Sequence, residues 1–161
     1  MNEQTVYHGS DVTVDKPLVG VGRRDLDFGP GFYVTPLYEQ AFSWASKVKL
    51  IRLSEHIVVN EYSLTYPAQC NVKKFDSYNE EWLNFIVDSR KGRTPWKDYD
   101  IVEGGIANDR VINAVEAYIN GFADVKSTLD KLVYQKPNYQ ICILKQEIID
   151  EYLHYKSSKI F

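Results

Sequence analysis

Two short phrases, each built from strand-forming residues and glycine, constrain the fold of this chain more than any other feature. The first, VYHGS at residues 6–10, is typical of a strand that ends at an exposed histidine and a flexible glycine. The second, DFGPGFYVT at residues 27–35, is typical of a glycine-rich turn that leads into another strand. We therefore expect strands at 5–8 and 31–35, joined by a long irregular polar segment at 11–30.

A helix is expected directly after the second of these strands. Thr35 is a favourable N-cap and Pro36 a favourable first helical residue, so the helix should run from there to about residue 49. Apolar residues recur along it at helical spacing and predict the face that packs on the core. These residues are Leu37, Ala41, Trp44, Ala45 and Val48.

The rest of the chain mixes predicted strands and helices without a regular strand–helix–strand repeat. Strands are predicted at 57–66, 71–75, 100–102, 139–144 and 154–156, and helices from Ser77 or Asn79 to 89, at 109–120, at 124–133 and at 146–152. This order favours an α+β fold with a mostly antiparallel or mixed sheet. With 161 residues and no recognisable linker, the chain is expected to form a single domain over residues 1–161.

Composition argues against several classes of function. The formal net charge of −3 and the pI of 5.6 give no global electrostatic case for binding nucleic acid or an acidic membrane. Cys70 and Cys142 lie far apart and the three histidines are dispersed, so neither a disulfide nor a metal site is expected. The sequence shows neither an N-terminal leader nor an apolar run of about 20 residues, so we expect a cytoplasmic protein that does not contact a membrane.

The two opening phrases also supply residues suited to binding a small molecule. His8 offers an imidazole to a hydroxyl group, and Gly9, which has no Cβ, lets a ligand approach the main chain closely. Tyr33 offers an aromatic face to a flat ring. Each residue also has a simpler interpretation, in which His8 makes an ordinary surface hydrogen bond and Tyr33 packs in the core.

Together the two phrases resemble the first two parts of the signature of the ADP-ribosyltransferase superfamily, in the branch marked by His, then Tyr, then Glu or a substitute. Three further segments extend the resemblance over nearly the whole chain: QAFSWA at 40–45, DIVEGGIANDR at 100–110 and NYQI at 138–141. They are similar to one bacterial family of uncharacterised domains in that superfamily, whose genes often lie in toxin–antitoxin-like pairs. The resemblance implies two packed mixed or antiparallel sheets, with flanking helices, around a cleft that binds NAD as co-substrate.

The resemblance also implies roles for individual residues. His8 would hydrogen-bond a ribose hydroxyl, and the main-chain N–H and C=O of Gly9 would bind the nicotinamide carboxamide. Tyr33 would stack on the nicotinamide ring. Ser10 and Gly31 complete the NAD-binding residues that the two phrases predict.

The third catalytic position, usually Glu on a late strand, is taken by Gln140. Glutamine keeps hydrogen-bonding geometry but carries no charge, so polymerisation of ADP-ribose is not expected. Glu103 and Glu147 are alternative catalytic carboxylates, although exposure on the surface is the commoner fate of each. Trp44 lies eleven positions after Tyr33, where the poly-ADP-ribose polymerase branch places a second ring against nicotinamide, and core packing is an equal alternative.

The expected function is mono-ADP-ribosyl transfer, in which the nicotinamide–ribose bond of NAD is cleaved and ADP-ribose passes to a macromolecular acceptor. Arg23 and Arg24 would bind the NAD diphosphate, because arginine offers paired donors to phosphate oxygens, unless both are simply solvated. The implied partners are a protein or nucleic-acid acceptor and an antitoxin protein. The alternatives are an NAD glycohydrolase, with water as acceptor, and a non-catalytic module that binds NAD, ADP-ribose or a partner protein.

Overall fold

The computed structural model describes residues 2–21, 26–107, 109–132 and 138–161, with 109 and 110 described by their main chain alone. Over these residues the fold has seven strands and five helices, which confirms the α+β class. In chain order they are β1 (Glu3–Ser10), β2 (Phe32–Val34), α1 (Tyr38–Arg52), β3 (Val58–Thr65), β4 (Val72–Lys74), α2 (Glu80–Arg90), β5 (Ile101–Gly104), α3 (Asp109–Ile119), α4 (Val125–Leu132), β6 (Gln140–Ile143), α5 (Gln146–Tyr152) and β7 (Leu153–Ile160).

The strands form two sheets. The first sheet has the order β1-β3-β7 and is antiparallel throughout. The second sheet has the order β2-β6-β5-β4, and it is mixed because β4 and β5 are parallel while its other pairs are antiparallel. A single isolated bridge joins the sheets, in which Tyr7 and Thr35 exchange two main-chain hydrogen bonds of 2.8 and 2.9 Å.

Two apolar clusters hold these layers together. One lies between the sheets, where alternate residues of the strands face each other and meet α5. Its largest contributors are Val6, Tyr62 and Leu64 from the first sheet and Phe32, Val34, Ile101, Ile141 and Ile143 from the second. The other cluster covers the opposite face of the second sheet with residues of α2, α3 and α4, among them Trp82, Leu83, Ile86, Val111, Val115 and Leu132. The second sheet is therefore buried on both faces.

Helix α1 packs against β1 at very short range. Ala41, Ala45 and Val48 form its buried side, as predicted. A Cβ at Gly9 would lie 2.1 Å from the Ala41 carbonyl oxygen and 2.9 Å from the Ala45 nitrogen, so a glycine is needed where the helix crosses the strand. The glycine of the first phrase thus has a packing role that does not depend on a ligand.

The start and the apolar face of α1 differ from the prediction. The helix begins at Tyr38 after an extended Leu37, and Thr35 lies outside it, accepting a hydrogen bond from the Leu37 N–H at 3.1 Å. The Thr35 carbonyl accepts from the Tyr7 N–H, and the Leu37 carbonyl instead accepts the first hydrogen bonds of the helix, from the Gln40 and Ala41 N–H groups. Leu37 and Trp44 are 42% and 48% exposed, so their assignment to the core face was wrong.

Most other elements agree with the prediction to within a few residues. Asn79 caps α2 by accepting a hydrogen bond from the Trp82 N–H, and α5 has the predicted bounds. The last strand, at Leu153–Ile160, is longer than predicted. Most of its residues are exposed, so the sequence there lacks the apolar alternation from which a strand is predicted. None of the helices in the described ranges is long and apolar enough to cross a bilayer.

Candidate functional site

The candidate site lies where β1 and β2 separate. The main-chain groups of Tyr7 point across the bridge to Thr35. Successive residues of a strand direct their main-chain groups to opposite edges, so those of Gly9 point to the same edge as those of Tyr7. Beyond this bridge β1 and β2 show no further main-chain pairing among the described residues, and we call the region between the two strands there the gap. A donor and an acceptor are therefore directed into the gap from one residue.

His8 lies inside β1 and not at its end, since the strand continues to Ser10. Its ring is partly buried, with Nδ1 at 2.7 Å from the Tyr33 carbonyl oxygen and the ring centre 4.4 Å from that of Phe32. The expectation of an exposed imidazole at a strand end was therefore wrong. The ring instead binds the edge of β2 at the point where the strands diverge.

The protonation state of His8 follows from these contacts. Burial lowers its pKa, an effect that the bond to the Tyr33 carbonyl partly opposes and the Arg52 charge reinforces. The ring is consequently neutral at pH 7. A carbonyl only accepts, so Nδ1 carries the proton in this bond and Nε2 is left as an acceptor.

Tyr33 uses its hydroxyl to hold the glycine-rich turn. The hydroxyl donates to the Gly29 carbonyl at 2.6 Å and accepts from the Phe28 N–H at 3.1 Å. Burial raises its pKa well above the ordinary value, so the phenol stays protonated. The partly buried ring packs with the helix-covered cluster of the second sheet. Core packing of Tyr33 is thus confirmed, and stacking on a ligand stays a prediction.

Gln140 opens β6, opposite Gly104. The pleat places its side chain on the same face of the second sheet as Cys142, and Cys142 lies directly opposite Tyr33 in β2. The side-chain Nε2 of Gln140 is buried and has no hydrogen-bond partner among the described residues. A buried amide donor without a partner is uncommon, because it loses the hydrogen bonds that it would make in water.

The structure groups these residues in two sets. Tyr33 and Gln140 share the helix-covered face of the second sheet, whereas His8 packs on Phe32, whose side chain points to the opposite face. His8 meets Tyr33 through the carbonyl oxygen and not through the ring. The edge of β2 lies between the two sets.

The remaining predicted site residues have mixed outcomes. Ser10 is buried, and its hydroxyl makes long contacts of 3.4 Å with Asp11 and the Val12 N–H. A Cβ at Gly31 would lie 2.4 Å from the Ile143 carbonyl oxygen, so this glycine is needed for β2 to pack on β6. Trp44 is half-exposed on α1. The predicted phosphate ligands Arg23 and Arg24 lie outside the described residues.

The two alternative carboxylates differ sharply. Glu147 is exposed on α5, as expected for a surface charge. Glu103 is only 7% exposed, so its assignment to the surface was wrong. It accepts hydrogen bonds from the hydroxyls of Tyr66 and Tyr139 and lines a cavity of about 650 Å³ between the sheets. The position of a charged residue within the apolar strand of the DIVEGG segment was the signal for this cluster.

No group of three or more His, Cys, Asp or Glu side chains able to hold a metal ion is found among the described residues. Both cysteines are free; Cys142 is fully buried, and burial raises the pKa of its thiol to about 12. The site therefore consists of main-chain groups, one neutral imidazole, aromatic rings and one amide.

The fold and the site define an α+β protein in which the Tyr7–Thr35 bridge joins the two sheets beside a partly buried histidine. The model of a family described as protein of unknown function (DUF3990) matches residues 4–155, and the chain belongs to this family. No curated protein and no solved structure matches the chain.

Proposed function

We propose that this protein binds NAD at the gap between β1 and β2, cleaves its nicotinamide–ribose bond and transfers the ADP-ribose to a macromolecular acceptor. The observation that carries the proposal is the main-chain edge of Gly9, directed into the gap beside the glycine-rich turn and Tyr33. A carboxamide presents one acceptor and a pair of donors. The N–H and C=O of one strand residue match that pattern.

The other polar groups fit the ribose. The Nε2 acceptor of neutral His8 suits a ribose hydroxyl. The Nε2–H of Gln140, which has no partner among the described residues, suits an oxygen of the same sugar. Tyr33 would present its ring to nicotinamide, with Ser10 and Gly31 shaping the main chain around it. Because the two polar groups start on opposite sides of β2, the sugar would have to lie across the edge of that strand.

Cleavage at this site needs little acid–base chemistry. The C1′–N bond of the ribose breaks, its electron pair stays on the nicotinamide nitrogen, and neutral nicotinamide leaves. The acceptor then attacks the oxocarbenium-like C1′ and releases its proton to solvent. The protein contributes by orienting the two rings and excluding water. Trp44 on α1, and Arg23 and Arg24 in the preceding loop, would extend the site toward the second ring face and the diphosphate.

Gln140 favours transfer of a single ADP-ribose over chain formation, because an amide cannot act as a base toward a second sugar. The resemblance to a toxin–antitoxin-associated family supports an acceptor in protein or nucleic acid and a neutralising antitoxin. With water as acceptor, the same site would be an NAD glycohydrolase.

One observation favours a non-catalytic binding module as a second candidate. The hydroxyl of Tyr33 and the Nδ1 of His8 are already engaged within the protein, and no carboxylate stands at position 140. Such a site would retain nucleotide without cleaving it. The transferase and the binding module would contact the ligand through the same residues, and only the transferase would cleave it.

The test is incubation of the purified protein with NAD labelled in the adenylate, with and without cell lysate, while released nicotinamide is measured by chromatography. Gln140→Ala and His8→Gln are the site variants, and His154→Gln, in an exposed strand, is the matched control. Nicotinamide release that depends on His8 and Gln140, with label passing to macromolecules, supports the transferase, and release without transfer indicates the glycohydrolase. NAD binding without release indicates the binding module. Neither binding nor release under any condition refutes the proposal.

A further inference from the structure

The cavity above Glu103 is separate from the gap between β1 and β2. Its walls come from both sheets: Gln4 and Tyr66 from the first sheet and the segment after it, Glu103 and Ile141 from the second. Ile141 of β6 and the preceding Tyr139 line the cavity, and the pleat of β6 sends the side chain of Gln140 to the face opposite that of Ile141. The volume of about 650 Å³ is within the range of small-molecule sites.

The carboxyl group at the cavity, that of Glu103, is hydrogen-bonded but makes no ion pair in the described part of the chain. Tyr66 donates to Glu103 Oε2, Tyr139 is also hydrogen-bonded to Glu103, and Gln4 hydrogen-bonds Tyr66 in turn. All three partners are neutral. Among the described residues, no ion pair joins Glu103 to a lysine or arginine.

A buried carboxylate is costly unless a positive charge accompanies it. The two tyrosine hydroxyls occupy two of its roughly four lone-pair sites, and Glu103 lines the cavity, where a ligand donor could use the others. The two phenol rings beside the carboxylate could also attract a cation through cation–π interactions, because the faces of aromatic rings carry negative potential. Lys74 of β4 lies opposite Glu103 in the register of the second sheet, but the two side chains form no ion pair among the described residues. The free space therefore lies next to a carboxylate that no cationic side chain contacts in the described part of the chain.

We propose that this cavity binds a small organic cation with N–H donors, of the alkylammonium or alkylguanidinium class, with Glu103 as its anchor. Tyr66 and Tyr139 orient the carboxylate and flank the bound cation, and Ile141 contacts its apolar part. Lys74, which is exposed and also lines the cavity, repels a cation and limits its affinity. The site does not depend on the proposed reaction with NAD.

Calorimetric titration of the full chain with butylguanidinium and with butylurea tests this inference, since the two compounds share a shape and differ in charge. Wild type should bind butylguanidinium and not butylurea. Glu103→Gln should weaken binding at least about tenfold, in line with the loss of one charge-assisted hydrogen bond. Glu147→Gln, an exposed glutamate on α5, is the matched control and should bind as wild type does. Lys74→Ala should bind as tightly as wild type or more tightly.

Ala68→Trp fills the exposed side of the cavity without touching Glu103, and it keeps the test decisive if Glu103→Gln fails to fold. This variant should keep the wild-type circular dichroism and lose binding. The inference is overturned if wild type does not bind butylguanidinium, if butylurea binds equally well, or if either cavity variant binds with unchanged affinity. Lost binding in Lys74→Ala would also overturn it, because the lysine would then be the anchor.

Discussion

Replacement of Gly9 by alanine tests the closest contact in the fold. The added Cβ would lie 2.1 Å from the Ala41 carbonyl oxygen and 2.9 Å from the Ala45 nitrogen. Favourable contacts between such atoms begin at about 3.5 Å, so α1 would have to move away from β1 by more than 1 Å. The atoms met belong to the helix main chain, so no side-chain rotation can relieve the clash.

The expected cost is at the upper end of the range for overpacking, about 3 kcal/mol, because Ala41 and Ala45 are buried on the helix face that holds α1 to the sheet. For a chain of this size, each kcal/mol lowers the melting temperature by about 2–4 °C. Gly9→Ala should therefore melt about 6–12 °C below wild type by circular dichroism.

Gly121→Ala is the control, because nothing lies within 4 Å of a Cβ there and only the positive φ of 79° opposes the substitution. It should cost about 1 kcal/mol, the ordinary penalty of a left-handed alanine. If Gly9→Ala melts no lower than Gly121→Ala, the described packing of α1 on β1 is refuted. A large loss would explain the glycine of the first phrase without any ligand.

Three further substitutions test the site and its surroundings. Tyr33→Phe removes the hydroxyl that bridges two main-chain groups of the glycine-rich turn, and urea unfolding should show a loss of about 1–3 kcal/mol. Because the folded-state pKa of His8 is lowered, the unfolded chain binds a proton first as pH falls below about 6.5, so wild-type stability should decrease there. In His8→Gln the decrease between pH 6.5 and 5 should be smaller than in wild type. Above pH 7, where His8 is neutral in both the folded and the unfolded chain, its titration should not contribute to the pH dependence of either protein. Asn79→Ala should destabilise by about 1 kcal/mol through loss of the α2 cap, whereas the exposed Asn84→Ala in the same helix should cost less.

These three predictions have clear contradicting results. A Tyr33→Phe variant as stable as wild type would mean that the turn does not need the hydroxyl. An unchanged pH dependence in His8→Gln would show that the buried imidazole is not the titrating group. Equal losses for Asn79→Ala and Asn84→Ala would show that capping does not act at the start of α2.

Helices and strands were predicted well where the residues that define them, such as a cap and an apolar face, lie within one short segment. The cap at Asn79 and the apolar residues of α2 lie within a few residues of each other, and so does the pattern of α5. Prediction failed where a residue takes a partner far along the chain. Thr35 resembles a helix cap but bonds Tyr7 across the sheets, and Trp44 has the spacing of the buried helix face but is 48% exposed.

The candidate site was predicted in the same uneven way. Gly9 was predicted to let a ligand approach closely and Gly31 to bind NAD, but the atoms that the structure places against them are those of α1 and β6, which sequence cannot show. The burial of Glu103 also escaped prediction, because its partners Tyr66 and Tyr139 come from segments far from it in the chain.

The sequence by itself determined the α+β class and most of the places where the chain turns or starts a helix. Those properties follow from side-chain chemistry over a few neighbouring residues. Only the tertiary structure decided that β1 meets β2 at the Tyr7–Thr35 bridge, that β4 lies parallel to β5, and that the carboxyl group of Glu103 faces a cavity between the sheets. Such features depend on contacts between segments that are far apart in the sequence, because those contacts set both strand pairing and the burial of each side chain.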